Sequence, residues 1–262
     1  MDPAARFETL VRGPEPAIPL DELALLVAAH AEPGLDVERW LGALDDIASR
    51  CSDQSFTGVV RHVVTEGFAG NRDDYYDPRN SYLHHVIERR VGIPITLSVV
   101  TIELGRRLGV PMVGVGMPGH FLVRDGLDEL SFADPFDGRL LDREGCRRTL
   151  AQAHPELSFD DGYLTPVGTR AIVARLLANL KGIHLARRDR RALARVLGLR
   201  VEVPGVPLEE RRELASALAA DGRFVEAAGV LEHLAELGRT AGDARLAEDA
   251  ERGATHLRAR LN

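Results

Sequence analysis

Between residues 112 and 141 the apolar residues alternate in short runs, 112–117, 119–125, 130–134 and 139–141, divided by the turn-forming pairs Asp125-Gly126 and Asp137-Gly138. A period of two bounded by Asp-Gly pairs predicts short antiparallel strands. On both sides of this stretch the apolar period is helical, so the chain reads as α+β, with a small sheet set among helices.

The helical pattern begins near Leu20 with Leu23, Leu25 and Leu26, then continues through Val37, Trp40, Leu41, Leu44 and Ile47. Breaks fall at Glu32-Pro33-Gly34 and near Ser52-Asp53, and residues 71–77 read as a polar, tyrosine-rich connecting loop. Asn80 or Ser81 caps a short helix to about Arg90. Pro94 then stands in the first turn of a helix ending at Leu108-Gly109, where proline is well tolerated because the first N–H groups have no partner. Apolar residues cover much of the circumference of that helix, which predicts a buried central element; Trp40 and the Leu/Ala stripes around it are core positions.

From Ala171 the pattern is helical again and is interrupted at residues 203–207, Val-Pro-Gly-Val-Pro. We expect a helical region plus core over 1–165 and a helical tail over 166–262. Within the tail, 208–260 is tetratricopeptide-like, because 214–237 reads as two helices around Asp221-Gly222 with small residues at the crossing. One such hairpin is too little for a repeat array.

Charge and cysteine content narrow the function. The net charge of −7 argues against non-specific nucleic-acid binding, which needs clustered Lys and Arg. Residues 170–200 depart from this balance, with nine basic residues against the single acid Asp189. Their Leu and Ile spacing reads as an amphipathic helix with an arginine-rich outer face. Cys51 and Cys146 make neither a disulfide framework nor a CxxC zinc site, so free thiols are expected. No apolar run is long enough to span a bilayer and the start lacks a signal-peptide pattern, which leads us to expect a cytoplasmic protein.

The chemistry concentrates at His120 and Asp134, which open one predicted strand and close the next. In a simple hairpin centred on the loop 125–129 they are cross-strand neighbours, with Cβ atoms about 4.5–5.5 Å apart. A carboxylate against an imidazole fixes the ring's tautomer and orientation, and is half of a nucleophilic triad. The other half belongs at a helix N-terminus, and the available start, Gly92-Ile93-Pro94-Ile95, has no thiol.

These residues resemble the SirB-type transglutaminase-like family of bacteria. The likeness runs through Phe68-Ala69-Gly70-Asn71, Tyr75-Tyr76-Asp77-Pro78-Arg79-Asn80-Ser81, Arg90-Val91-Gly92-Ile93-Pro94-Ile95, Gly109-Val110-Pro111, Pro118-Gly119-His120-Phe121-Leu122 and Ala133-Asp134-Pro135-Phe136, and reaches Arg175-Leu176-Leu177-Ala178-Asn179-Leu180-Lys181. The resemblance implies a papain/transglutaminase-like core, a buried central helix packed on a small antiparallel sheet. It also implies a catalytic cysteine at the start of the central helix, about fifteen residues before a Gly-Ile-Pro-type turn. Gly109 begins that turn, so the cysteine position falls at Pro94, which offers neither a nucleophile nor an N–H for an oxyanion. Thr96 and Ser98 are the nearby hydroxyls.

Other candidates carry blander readings. Cys146 is expected at an exposed helix start, where Arg143, Arg147 and Arg148 would lower its pKa, yet reads as an ordinary surface thiol; Cys51 reads as packed. His84 and Glu88 have i, i+4 spacing without a third partner, so a solvated helix face is expected and no metal or cofactor is assigned. The expectation for function is a non-catalytic or degenerate transglutaminase-like protein that binds another protein or peptide through its cleft and helical tail. The alternative is a cysteine-independent amide-bond hydrolase or acyltransferase using His120 and Asp134.

Overall fold

A computed structural model describes residues 2–260. The chain divides into two units, Met1–Leu176 and Leu177–Asn262.

The first unit opens with four helices, α1 (Pro3–Val11), α2 (Leu20–Ala31), α3 (Val37–Ser49) and α4 (Phe56–Thr65). Asp2, Asp36 and Ser55 cap α1, α3 and α4 by accepting a backbone N–H from the first turn. A two-residue strand β1 (Ala69–Gly70) leads through the tyrosine loop to α5 (Leu83–Arg89), then β2 (Val91–Gly92), which pairs in parallel with β1.

Helix α6 (Pro94–Arg107) follows without a break. Pro94 occupies its first position, the Thr96 hydroxyl accepts the Ile93 N–H at 3.1 Å, and Gly109 at φ +70° reverses the chain beyond the last turn. The residues from Pro94 to Thr101 are all buried, as expected for a central element, and α6 packs on α2, α3, α4, α5 and the sheet. Gly105 lets α6 approach the sheet, since a Cβ there would lie 2.7 Å from Met112 Sδ.

The sheet comprises β3 (Met112–Val115), β4 (Leu122–Asp125), β5 (Phe132–Asp134), β6 (Arg139–Leu141) and, after α7 (Arg143–Ala153), β7 (Pro166–Val167). Its order is β6-β5-β4-β3-β7, antiparallel throughout. The α+β reading holds, with β3, β4 and β5 shorter than the alternation suggested. Val115, Leu122 and Phe132 of the sheet join Cys146 and Leu150 of α7 in one apolar cluster.

Where α6 meets α2, two carboxylates are buried side by side. Asp21 and Glu103 are 3% and 2% exposed, and Arg107 lies 2.7 Å from the first and 2.9 Å from the second. Burial and the Asp21 charge raise Glu103 from 4.5 to about 7. Between those two values the folded chain keeps a proton that the unfolded chain has released, so stability falls as pH rises across this window and levels above it. Glu103→Gln is expected to remove that slope. Relative to the variant, the wild type should lose about 2 kcal/mol of unfolding free energy between pH 5 and pH 8, read by urea denaturation.

In the second unit, helix α8 (Thr169–Arg187), which begins in the first, completes its course and is followed by α9 (Arg190–Arg200), α10 (Glu210–Ala220), α11 (Phe224–Thr240) and α12 (Ala244–Ala259). The turns at Gly222 and Gly242, with φ of +81° and +74°, fold α10 to α12 into successive hairpins. Ala227, Ala235, Ala250 and Ala254 sit in its apolar cluster with Leu214, Leu218, Leu231 and Leu234. Small residues bring the helices close: a Cβ on Gly238 would meet the Ala247 backbone N at 3.0 Å, and one on Gly253 would meet Leu231 Cδ1 at 2.8 Å.

Candidate functional site

The segment from Met117 to His120 is a tight turn. His120 N–H donates to the Met117 carbonyl at 3.1 Å, with Pro118 and Gly119 between them and Gly119 at φ +67°. This is the type II arrangement that Pro-Gly favours. The ladder pairs Val123 with Ala133 and Arg124 with Phe132, so extending the register puts Leu122, not His120, opposite Asp134. His120 therefore precedes β4 instead of opening it, and the simple-hairpin geometry is corrected by two residues. A two-residue shift preserves the face, so the pair still meets. His120 Nε2 lies 2.9 Å from Asp134 Oδ1. The approach is off the line of a ring N–H, so the contact is an ion-pair distance without an aligned hydrogen bond.

Asp134 is wholly buried at the end of β5. Its Oδ1 accepts the N–H groups of Phe136 at 3.0 Å and Asp137 at 3.2 Å, and Arg139 stands 3.6 Å from Oδ2. Burial pushes this carboxyl up, but His120, the Asp137 N–H and Arg139 more than offset it and hold the pKa below the usual range. The carboxylate stays charged against the ring.

Phe136 ties this pair to the start of α6. Its ring is edge-on to His120 at 6.1 Å, and its carbonyl accepts the Gly70 N–H at 3.1 Å. Only glycine fits at 70, because a Cβ would lie 2.5 Å from the Phe136 ring. Gly70 pairs with Gly92, two residues before Pro94. Asn71 and the wholly buried Asn80 hold the tyrosine loop beside it, with Asn80 donating to the carbonyls of Asp74 at 2.7 Å and Tyr75 at 3.2 Å. Tyr75 contacts Phe136 edge-on at 6.2 Å.

The chain's candidate nucleophiles are engaged elsewhere. Thr96, fully buried, donates to the Asn80 carbonyl at 2.7 Å, and Ser98, also fully buried, donates to the Phe121 carbonyl at 3.3 Å. Cys146 is not a surface thiol. It is wholly buried under the sheet, and burial together with Asp142 and Asp134 pushes its pKa up to about 12, opposite to the expected lowering by arginines. Cys51 is packed, as expected, and burial raises its pKa as well.

The structure gives one residue of the basic window a positioning role. The charge pattern places Arg175 on an arginine-rich outer face, but its guanidinium turns inward. It donates to the carbonyls of Met117 at 3.0 Å and His120 at 2.7 Å and lies over the Phe121 ring at 5.3 Å. It thus clamps both ends of the turn that presents His120.

The profile of the transglutaminase-like superfamily matches residues 20–178, more than half of the chain. The chain belongs to the transglutaminase-like superfamily. Its relatives include a UPF0162 protein of Xylella fastidiosa, 39% identical over 183 residues that cover 64% of this chain and 65% of that one. A UPF0162 protein of Pseudomonas aeruginosa is 36% identical over 189 residues, 71% of this chain and 67% of that one. F-box only protein 21 of Homo sapiens is 51% identical over 128 residues, 47% of this chain and 20% of that one. The chain thus spans about two thirds of the bacterial relatives, 65% of the Xylella protein. In this transglutaminase-like chain the His120–Asp134 pair, the Phe136 turn and the start of α6 form one linked neighbourhood, with Pro94 heading the helix.

Among the described residues no helix is long and apolar enough to cross a membrane.

Proposed function

We propose that this transglutaminase-like chain is a non-catalytic binding or regulatory module whose cleft holds a carboxylate- or amide-bearing segment of another protein. The observation that carries the reading is Pro94 at the first position of α6, where the family resemblance places a catalytic cysteine. Proline supplies no nucleophile and no N–H for an oxyanion. The nearest hydroxyls, Thr96 and Ser98, are committed to backbone carbonyls, which leaves them no base and no access.

The buried Asp134 beside His120 supports a site that presents an imidazole to a polar group. In the human F-box relative the matching segment is a fifth of a longer chain, which suits a module that works among other parts. In this reading the tetratricopeptide-like helices α10 to α12 offer the partner a second surface, and the protein works in the cytoplasm, where free thiols stay reduced.

The test uses glutamine, ester and anilide peptides, with and without an added amine, against wild type and His120→Ala. Expected are no product above buffer, no acyl adduct on the chain by mass spectrometry, and a His120 ring-proton NMR shift on titration with a glutamine or C-terminal-acid peptide. Turnover that disappears in His120→Ala rejects the reading and moves the chain to cysteine-independent amide chemistry, with His120 as general base for water.

A further inference from the structure

Away from the His120–Asp134 pair, residues far apart in sequence converge. Glu32, the residue that ends α2, reaches the start of α5, where one carboxylate oxygen lies 3.1 Å from His84 Nε2 and the other 3.0 Å from His85 Nε2. Consecutive residues on a helix point about 100° apart, so two neighbouring imidazoles do not ordinarily aim at one group. Here both do, with ring centroids 3.9 Å apart. The solvated face expected for His84 is wrong: it is 3% exposed and packs against Trp40 at 5.8 Å and Tyr82 at 6.3 Å. Its Nδ1 is buried without a hydrogen-bond partner. Glu88, the partner its spacing suggested, stands instead 3.7 Å from His85 Nδ1.

We propose that Glu32, His84 and His85 form a divalent metal site of the zinc class. The three ligand atoms lie within 4.8 Å of one another. Tetrahedral ligands about 2.0–2.1 Å from zinc are about 3.3–3.4 Å apart, so a small closing movement suffices. Two imidazoles and one carboxylate are a ligand set that zinc accepts, leaving a fourth position for water. Glu88 beside His85 Nδ1 is placed as the outer carboxylate that orients a ligating ring. Glu32 and His85 keep partial exposure, so an ion can enter from solvent.

Trp40 is the chain's single tryptophan, and its place beside His84 makes the site readable. The untagged full chain is titrated with cobalt chloride and then with zinc chloride, following Trp40 fluorescence, the visible cobalt absorption and, for zinc alone, calorimetric stoichiometry. Expected are one equivalent of either ion, quenching of Trp40 by cobalt, and relief of the quenching by zinc. Glu32→Gln and His85→Asn, which alter the two more exposed ligands and spare buried His84, should each weaken binding by more than about tenfold, the least that losing even an outer partner costs. Circular dichroism and urea midpoints establish that the variants are folded. Failure of the folded wild type to take up one equivalent overturns the site. So does binding that is unchanged in the Glu32→Gln/His85→Asn double variant, because the ion then sits on other histidines.

Discussion

Asp134→Ala is expected to lower the unfolding free energy at pH 7 by about 3–4 kcal/mol, within the range for breaking a buried charged network. The substitution strips the Phe136 and Asp137 N–H groups of their acceptor, leaves Arg139 without its buried neighbour and removes the carboxylate beside His120. Each buried donor left unmade costs about 1–3 kcal/mol, so the two N–H groups alone account for much of the effect. Asp134→Asn should cost less, because an amide oxygen still accepts from the backbone while the charge is lost. The sign with pH follows from the lowered pKa: the carboxylate's contribution is present above the ordinary aspartate value and fades as pH falls through its depressed folded value. The gap between wild type and Asp134→Ala should therefore narrow toward pH 3 in urea denaturation. A loss below about 1 kcal/mol at pH 7 would mean that the turn at Phe136 holds without its carboxylate.

Helix α6 was legible in the sequence because its ends carry the strongest local signals, a proline where N–H groups are free and a glycine where φ turns positive. The residue pair at the site is legible for a different reason, since alternation keeps a face even when register slips by two. The register differs because alternation places Gly119 and His120 in the strand, although Pro118-Gly119 marks a turn. Cys146 illustrates a different failure. Counting arginines around it gave an electropositive thiol, whereas Gly145, Cys146, Thr149 and Leu150 form a buried helical stripe that periodicity alone could have found. Arg175 makes the same point: a window of net charge hides which face each arginine takes, and Ile172, Val173, Leu176 and Leu177 around it are buried. The Glu32 contact with His84 and His85 had no local signal, because those ligands come from elements more than fifty residues apart.

Arg107→Ala is expected to cost about 3–5 kcal/mol at pH 8, the range for removing one partner of a buried ion pair. Arg107 is only 11% exposed and serves three carboxylates, Asp21 at 2.7 Å, Glu103 at 2.9 Å and Asp45 at 2.6 Å. Without it, Arg106 remains, 3.0 Å from Asp21 and 2.7 Å from Glu103, but its side chain is 58% exposed and water screens its charge. Two buried carboxylates then face each other across α2 and α6 with one weakened cation between them. At pH 5 the cost should shrink, because Glu103, whose pKa is raised to about 7 even with Arg107 present, is then protonated and only Asp21 demands a partner. The penalty of Arg107→Ala should therefore grow as pH rises from 5 to 8, and Glu103→Gln in the same chain should remove most of that growth. A penalty that is the same at both pH values, or that Glu103→Gln leaves untouched, would place the effect in lost packing of the arginine stem and not in the carboxylate pair.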